Sequence, residues 1–262
     1  MAVDDVAGGA AARVADILWS AWRSGERIEA LPAPVRPSTP AQGWAAQREL
    51  VALAGPSYGW KIAATSGAGQ AHIGVTGPLP GPLFERFRYE PGSVVPSADL
   101  HMGVVEAEFA FRLGADVPAG ASPAALAGAV AALHLAVEVP DSRFVEFSTV
   151  GGPSLIADAA CAGYFLLGPE VPDWRDADLA AARTRIEVNG EVAAEGRGDA
   201  VLGSPWAALA WLAAELPRFG SGLLAGQVVT TGTTTTPPAI GPGDRVRAHF
   251  AGYGEVGFGF AR

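Results

Sequence analysis

Hydrophobic positions recur along this chain with two different periods. Across Ala10 to Trp22, the residues Val14, Ile17, Leu18 and Trp22 fall near helical spacing, and Gly25 stands where such a helix would end. A proline-rich connector from Leu31-Pro32-Ala33-Pro34 to Pro40 follows. Its Ser38-Thr39-Pro40 offers the start of a second helix through about Leu53, stopped by Gly55-Pro56. From Tyr58 onward, short alternating runs lie between Gly/Pro turns. They predict strands at Gly59 to Ala63, Val105 to Leu113, Arg183 to Val188, Gln227 to Thr231 and Asp244 to Phe250. Helices are predicted at Pro123 to Leu135, passing into a strand at Val137, and at Pro205 to Leu216. The pattern divides the chain into a helical N-terminal arm, residues 1–57, and an α+β core of mixed or antiparallel sheet, residues 58–262. Regular β-α-β alternation and a Gly-x-Gly-x-x-Gly fingerprint are both missing, which argues against a dinucleotide-binding fold.

The run Val105-Glu106-Ala107-Glu108-Phe109-Ala110-Phe111 is the strand with the most chemistry in it. Alternation puts Glu106 and Glu108 on one face with Ala110, while Val105, Ala107, Phe109 and Phe111 take the other. Around Glu138 the same design recurs. Leu135, Val137 and Val139 share a face, and Glu138 lies among His134, Ala136 and Pro140 on the opposite one. Carboxylates in apolar company need a proton or a cation. Spacing leaves two readings: pairing with arginines at a surface strand, or ligation of a hard divalent cation such as Mg²⁺ or Mn²⁺.

Composition narrows the partners. The 262 residues are 49% hydrophobic and 17% charged, with a net charge of −9 and no basic run, which argues against nucleic acid or an anionic membrane and for a small-molecule partner. Cys161 is the single cysteine, so no intrachain disulfide or cysteine-based zinc site is possible. The Met-Ala-Val-Asp-Asp start lacks a basic signal region and no long apolar run reads as membrane-spanning, so a soluble, cytoplasmic protein is expected. Among 18 basic residues only Lys61 is a lysine. The run Thr233-Thr234-Thr235-Thr236-Pro237-Pro238 reads as a surface loop, and the seven tryptophans as core or interface residues.

The segment Gly59-Trp60-Lys61-Ile62-Ala63-Ala64-Thr65-Ser66 resembles the lysine motif of the 2-keto-4-pentenoate hydratase family, which also holds 4-oxalocrotonate-type decarboxylases and lies within the fumarylacetoacetate hydrolase superfamily. The similarity continues in order through Val105-Glu106-Ala107-Glu108, Glu138 with Asp141-Ser142-Arg143, Ile156-Ala157-Asp158, Asn189-Gly190-Glu191, Val201-Leu202-Gly203-Ser204-Pro205 and Gly241-Pro242-Gly243-Asp244. It implies a mixed-sheet core of the β-roll type and a homo-oligomer. It also implies Glu106, Glu108 and Glu138 as ligands of Mg²⁺ or Mn²⁺, and Lys61 as a catalytic cation that contacts the substrate carboxylate or assists proton transfer. The implied activity is addition of water to a 2-keto or 2-hydroxydienoic acid. Decarboxylation or C–C hydrolysis on the same scaffold is the alternative, and a non-catalytic binding protein is disfavoured by the intact glutamates and lysine.

Several positions depart from the family pattern. Leu79, in Gly77-Pro78-Leu79-Pro80-Gly81, stands where many hydratases carry an aspartate, and a leucine cannot transfer protons. Cys161 replaces a frequent serine, and Thr236 replaces an arginine that follows the threonine matched by Thr235. The resemblance places Ser66, Leu79, Cys161 and Thr235 at the substrate. Without the arginine, a substrate lacking a distal carboxylate is expected. His134 and His72 are the histidines nearest these motifs, in a neighbouring or pocket-lining position.

Overall fold

Two helices open the chain in the computed structural model, which describes residues 3–98 and 100–262. They are α1 (Val3–Ser24) and α2 (Pro40–Ala54). Thr39 starts α2 with a capping box: its hydroxyl accepts from Gln42 N at 3.3 Å, and the Gln42 side-chain carbonyl oxygen accepts from Thr39 N at 3.2 Å. The chain continues through β1 (Ser57–Ala63), α3 (Gly67–His72), β2 (Leu79–Phe84), β3 (Arg88–Tyr89), β4 (Val94–Val95) and β5 (Glu106–Leu113). Next come α4 (Pro123–Ala129), β6 (Val130–Val139), α5 (Gly152–Ala157), β7 (Tyr164–Glu170), β8 (Arg183–Val188) and β9 (Glu191–Arg197). The last elements are α6 (Pro205–Glu215), β10 (Val228–Thr230), β11 (Arg245–Phe250) and β12 (Gly254–Phe260).

Among the described residues these strands form a seven-stranded sheet, ordered β2-β1-β10-β5-β6-β7-β3, and a five-stranded sheet, ordered β4-β12-β11-β8-β9. Both are mixed, because β1–β10, β3–β7 and β4–β12 pair in parallel while the remaining pairs are antiparallel. The main core contains the apolar faces of both. Phe109, Phe111, Leu133, Leu135 and Val137 come from the larger sheet, and Ile186, Ala248, Phe250, Val256 and Phe258 from the smaller. The rings of Phe109 and Phe250 meet edge-on at 5.1 Å. This is the expected α+β architecture with helices at the N-terminus. A second cluster joins Val14, Leu18 and Leu50 of the helices to Phe84, Phe144, Ala157 and Ala162, so the segment through residue 57 shares buried side chains with the sheet-bearing remainder of the chain. No helix among the described residues is long and apolar enough to cross a membrane.

Strands β7, β9 and β12 and helices α3 and α5 go beyond the sequence expectation, and two further elements show why it fell short. The helix from Pro123 ends at Ala129, and the strand begins at Val130 rather than Val137. Pairing with β5 on one side and β7 on the other satisfies the backbone and overrides the helical propensity of this alanine-rich run. β2 was hidden by Pro80, Gly81 and Pro82. It is an edge strand of the seven-stranded sheet, where prolines' missing N–H groups are tolerated.

Candidate active site

Register builds the site. β5 and β6 pair antiparallel with Glu106 opposite Glu138, Glu108 opposite Ala136 and Ala110 opposite His134, so the three glutamates share one face. An oxygen from each of Glu106, Glu108 and Glu138 lies within 4.8 Å of the others. Glu108 and Glu138 are buried, at 0% and 1% exposure, while Glu106 is half-buried and faces a cavity.

Each carboxylate is only partly satisfied. One Glu108 oxygen accepts from Gly232 N at 2.8 Å and from the Thr230 hydroxyl. Gly232 has φ +95°, and a Cβ there would collide with the Thr65 side chain, so only glycine brings this N–H to Glu108. The other Glu108 oxygen and both Glu138 oxygens accept no hydrogen bond from the described residues. Lys61, itself buried, places Nζ 3.2 Å from Glu138 Oε1 as an ion pair and donates to the Ala160 carbonyl at 3.0 Å. That carbonyl sits in a left-handed run, Ala159, Ala160 and Cys161, with φ of 53°, 51° and 60°. Such residues cost about 1–2 kcal/mol each, so the run must be held by its surroundings. Buried Asp158 does this: it accepts from Ser142 Oγ at 2.7 Å and from the Arg143 side chain and backbone, while Arg143 also donates to the Asp158 and Ala162 carbonyls at 2.7 and 2.8 Å.

Electrostatics follow from this crowding. Burial raises the pKa of all three glutamates, and Glu138 and Glu106 push Glu108 further up. Glu138 is pushed up to about 7, by burial first, with Lys61 opposing and Glu106 adding to the rise. Burial acts to lower the Lys61 pKa, but Glu138 and Glu106 outweigh it and the net shift is upward, which keeps an ammonium. Burial and Asp158 push the Cys161 thiol up to about 12, so it is a protonated wall residue and no nucleophile. Three clustered carboxylates, two of them with buried unpartnered oxygens, exceed what one ammonium neutralises. The donor set is all hard oxygen and fits a divalent cation.

Protonation and cation binding therefore compete here, with a defined sign. Glu138, raised from an unfolded value of 4.5 to about 7, contributes stability that is full below pH 4.5 and lost as pH rises through about 7. Metal-free protein should lose melting temperature between pH ~5 and about 8 from this group. A divalent cation should bind more tightly as pH rises and release protons on binding at pH ~6. Calorimetry in buffers of different ionisation enthalpy measures that release; a proton count of zero at pH ~6 would contradict the arrangement.

The cavity has a volume of about 1070 Å³, and Lys61, Ser66, Glu106, Cys161 and Thr235 all line it. Thr235 Oγ1 is buried there without a hydrogen-bond partner among the described residues. Ser66 Oγ accepts from Gly69 N at 3.1 Å, so it also caps α3. Leu79 pairs opposite Ala63 on the edge strand, on the face that Lys61 and Ala63 share, and packs in the main core next to the lining. The threonine run is no surface loop. Thr231 and Thr234 continue the pairing along β5, donating from N to the carbonyls of Phe109 and Ala107 at 3.1 and 2.9 Å, and their hydroxyls donate to the same carbonyls. His72 lines the cavity with its ring 5.6 Å from Phe147, whereas His134 contacts the Gly168 carbonyl at 3.1 Å.

Sequence reasoning missed Met102, Val104, Phe147, Glu195 and Arg197 of the lining. They lie outside the matched motifs and gather only in the folded chain. Asp141 was legible as a motif but without its task. Its Oδ1 accepts from His101 N and Met102 N at 2.8 and 2.9 Å, and its Oδ2 from Arg27 at 2.5 Å, which pins the segment carrying Met102 against the site.

The fumarylacetoacetate (FAA) hydrolase C-terminal family matches residues 68–260. The chain belongs to the fumarylacetoacetate hydrolase family. Within it, a 2-keto-4-pentenoate hydratase of Paraburkholderia phymatum is 37% identical over 204 residues, 78% of each chain. A 4-oxalocrotonate decarboxylase of Pseudomonas putida is 33% identical over 214 residues, 81% of each chain. The solved structure of 4-oxalocrotonate decarboxylase from Pseudomonas putida G7, complexed with magnesium and adipate, matches with a TM-score of 0.89 at 28% identity, covering 99% of this chain and 98% of that one.

Proposed function

We propose that this chain is a divalent-metal-dependent hydro-lyase of the 2-keto-4-pentenoate hydratase type, acting on a 2-keto or 2-hydroxydienoic acid. The observation that carries the reading is the cluster of Glu106, Glu108 and Glu138 with Lys61 Nζ 3.2 Å from Glu138, at a cavity. Glu106, Glu108 and Glu138 would hold Mg²⁺ or Mn²⁺, and the ion when bound supplies Lewis-acid polarisation of a 2-keto acid. Lys61 presents a fixed ammonium, held by the Ala160 carbonyl and Glu138, to the substrate carboxylate. Thr235 offers its unpartnered hydroxyl to the substrate, and protonated Cys161 fills the wall beside Lys61 without reacting. Apolar lining from Ile62, Ala63 and Ala160 limits water around the lysine, which strengthens its charge.

Decarboxylation of a 4-oxalocrotonate-type acid is the second reading. It is favoured by the match over 99% of the chain to a decarboxylase structure, and by the lack of an acid at Leu79 to manage water. Both reactions place developing charge on the same 2-keto oxygen. A cytoplasmic homo-oligomer is part of the proposal; the free, buried Cys161 suits a reducing compartment.

The test is turnover of 2-hydroxypenta-2,4-dienoate with Mg²⁺ or Mn²⁺, and after chelation. Mass spectrometry should show gain of water, abolished by chelator and restored by either ion. Loss of CO₂ from 4-oxalocrotonate with no hydration would select the second reading, and full activity without metal would sink both.

A further inference from the structure

The cavity is larger than the core of the proposed substrate needs. A volume of about 1070 Å³ lies at the upper end of the roughly 300–1,000 Å³ that accommodates drug-sized ligands, whereas a five-carbon dienoic acid is far smaller. Part of the lining is apolar: Ile73, Met102, Val104 and Phe147 reach the cavity from the end of α3 and from two further segments. Its rim offers little to a second carboxylate. Among the described lining residues the full positive charges are Lys61 and Arg197. Arg197 is half-exposed and already paired with Asp199 at 3.3 Å, and Glu195, two positions earlier on β9, lines the same cavity with the opposite charge. Thr236, also in the lining, is neutral.

We infer that the natural substrate carries an apolar substituent beyond its reacting carbons, seated against Ile73, Met102, Val104 and Phe147, and no distal carboxylate. This rests on the reading of the site as a 2-keto acid lyase. Methionine suits such a wall, since its flexible thioether fills irregular space, and the hydrogen bond from Met102 N to Asp141 fixes where it does so. The wall sets specificity and leaves the bond chemistry to the glutamate and lysine end.

Calorimetry on the Mg²⁺-loaded protein with straight-chain saturated 2-keto acids of increasing length tests the wall independently of turnover. Affinity should rise about fourfold per methylene until the wall is covered, and a 2-keto diacid of equal length should bind at least about tenfold more weakly. Met102→Ser and Phe147→Ser should each flatten the length dependence. In parallel, kcat/KM on 2-hydroxydienoates with growing alkyl substituents should climb. A flat length series, or tighter binding of the diacid, overturns this inference, and does so alone if the unsubstituted dienoate is hydrated. A steep binding series with no turnover of any dienoate keeps the apolar wall and overturns the hydratase reading.

Discussion

Glu108→Gln should lower kcat/KM on a 2-hydroxydienoate by on the order of 10³, because metal polarisation is worth several kcal/mol and each ~1.36 kcal/mol is tenfold. The same change should make the metal-free protein more stable. Glu108 is buried completely beside Glu138 and Glu106, and all three have raised pKa values. An amide of the same shape removes one buried like charge, while its carbonyl still accepts from Gly232 N and Thr230. About 1 kcal/mol moves the melting temperature of a chain this size by roughly 2–4 °C. The rise on adding Mg²⁺ or Mn²⁺, which reflects binding to the folded state, should shrink in the variant. Thermal scans with and without the ion check both directions. A metal-induced shift equal to wild type would show that Glu108 holds no ion.

Lys61→Met is expected to cost about 10²–10³ in kcat/KM, the range for removing one preorganised electrostatic donor. Its stability effect depends on pH. Removing one partner of a buried pair costs about 3–5 kcal/mol when the remaining charge stays ionised. Glu138, at about 7 in the wild type with Lys61 opposing the rise, can instead take a proton once the ammonium is gone. The destabilisation of metal-free Lys61→Met should therefore be largest near pH ~9 and fade as pH falls through about 7. Chemical denaturation across that range measures it. A penalty independent of pH would mean that Lys61 stabilises the fold by packing and its bond to Ala160 rather than by charge.

The carboxylate face was legible because strand alternation is a strict period of two, and because Phe109 and Phe111 leave no doubt which side of β5 is the core. Lys61 announced itself by being the single lysine and by its motif. The register that sets Glu106 opposite Glu138 was not legible, since it depends on how an intervening helix and turn join β5 to β6. The same limit explains Val130 to Leu135: alanines and leucines there satisfy both periods, and only pairing with β5 and β7 decides. A motif gave Leu79 a position in sequence and not a partner, and the pairing opposite Ala63 came only with the fold. Met102 reaches the cavity from an irregular segment and Phe147 from a single 3₁₀ turn, Phe147–Thr149, both too short for a period to be read.

The paired strands and the irregular segments also differ in how freely they can change. A one-residue deletion inside β5 or β6 would turn a glutamate towards the core and a phenylalanine or valine towards the ion site, losing chemistry and packing at one stroke. Substitutions at Met102, Val104 or Phe147 alter neither register nor carboxylates. Descendants of this chain are thus free to drift in the acids they accept while their means of activating an acid stays under tight selection.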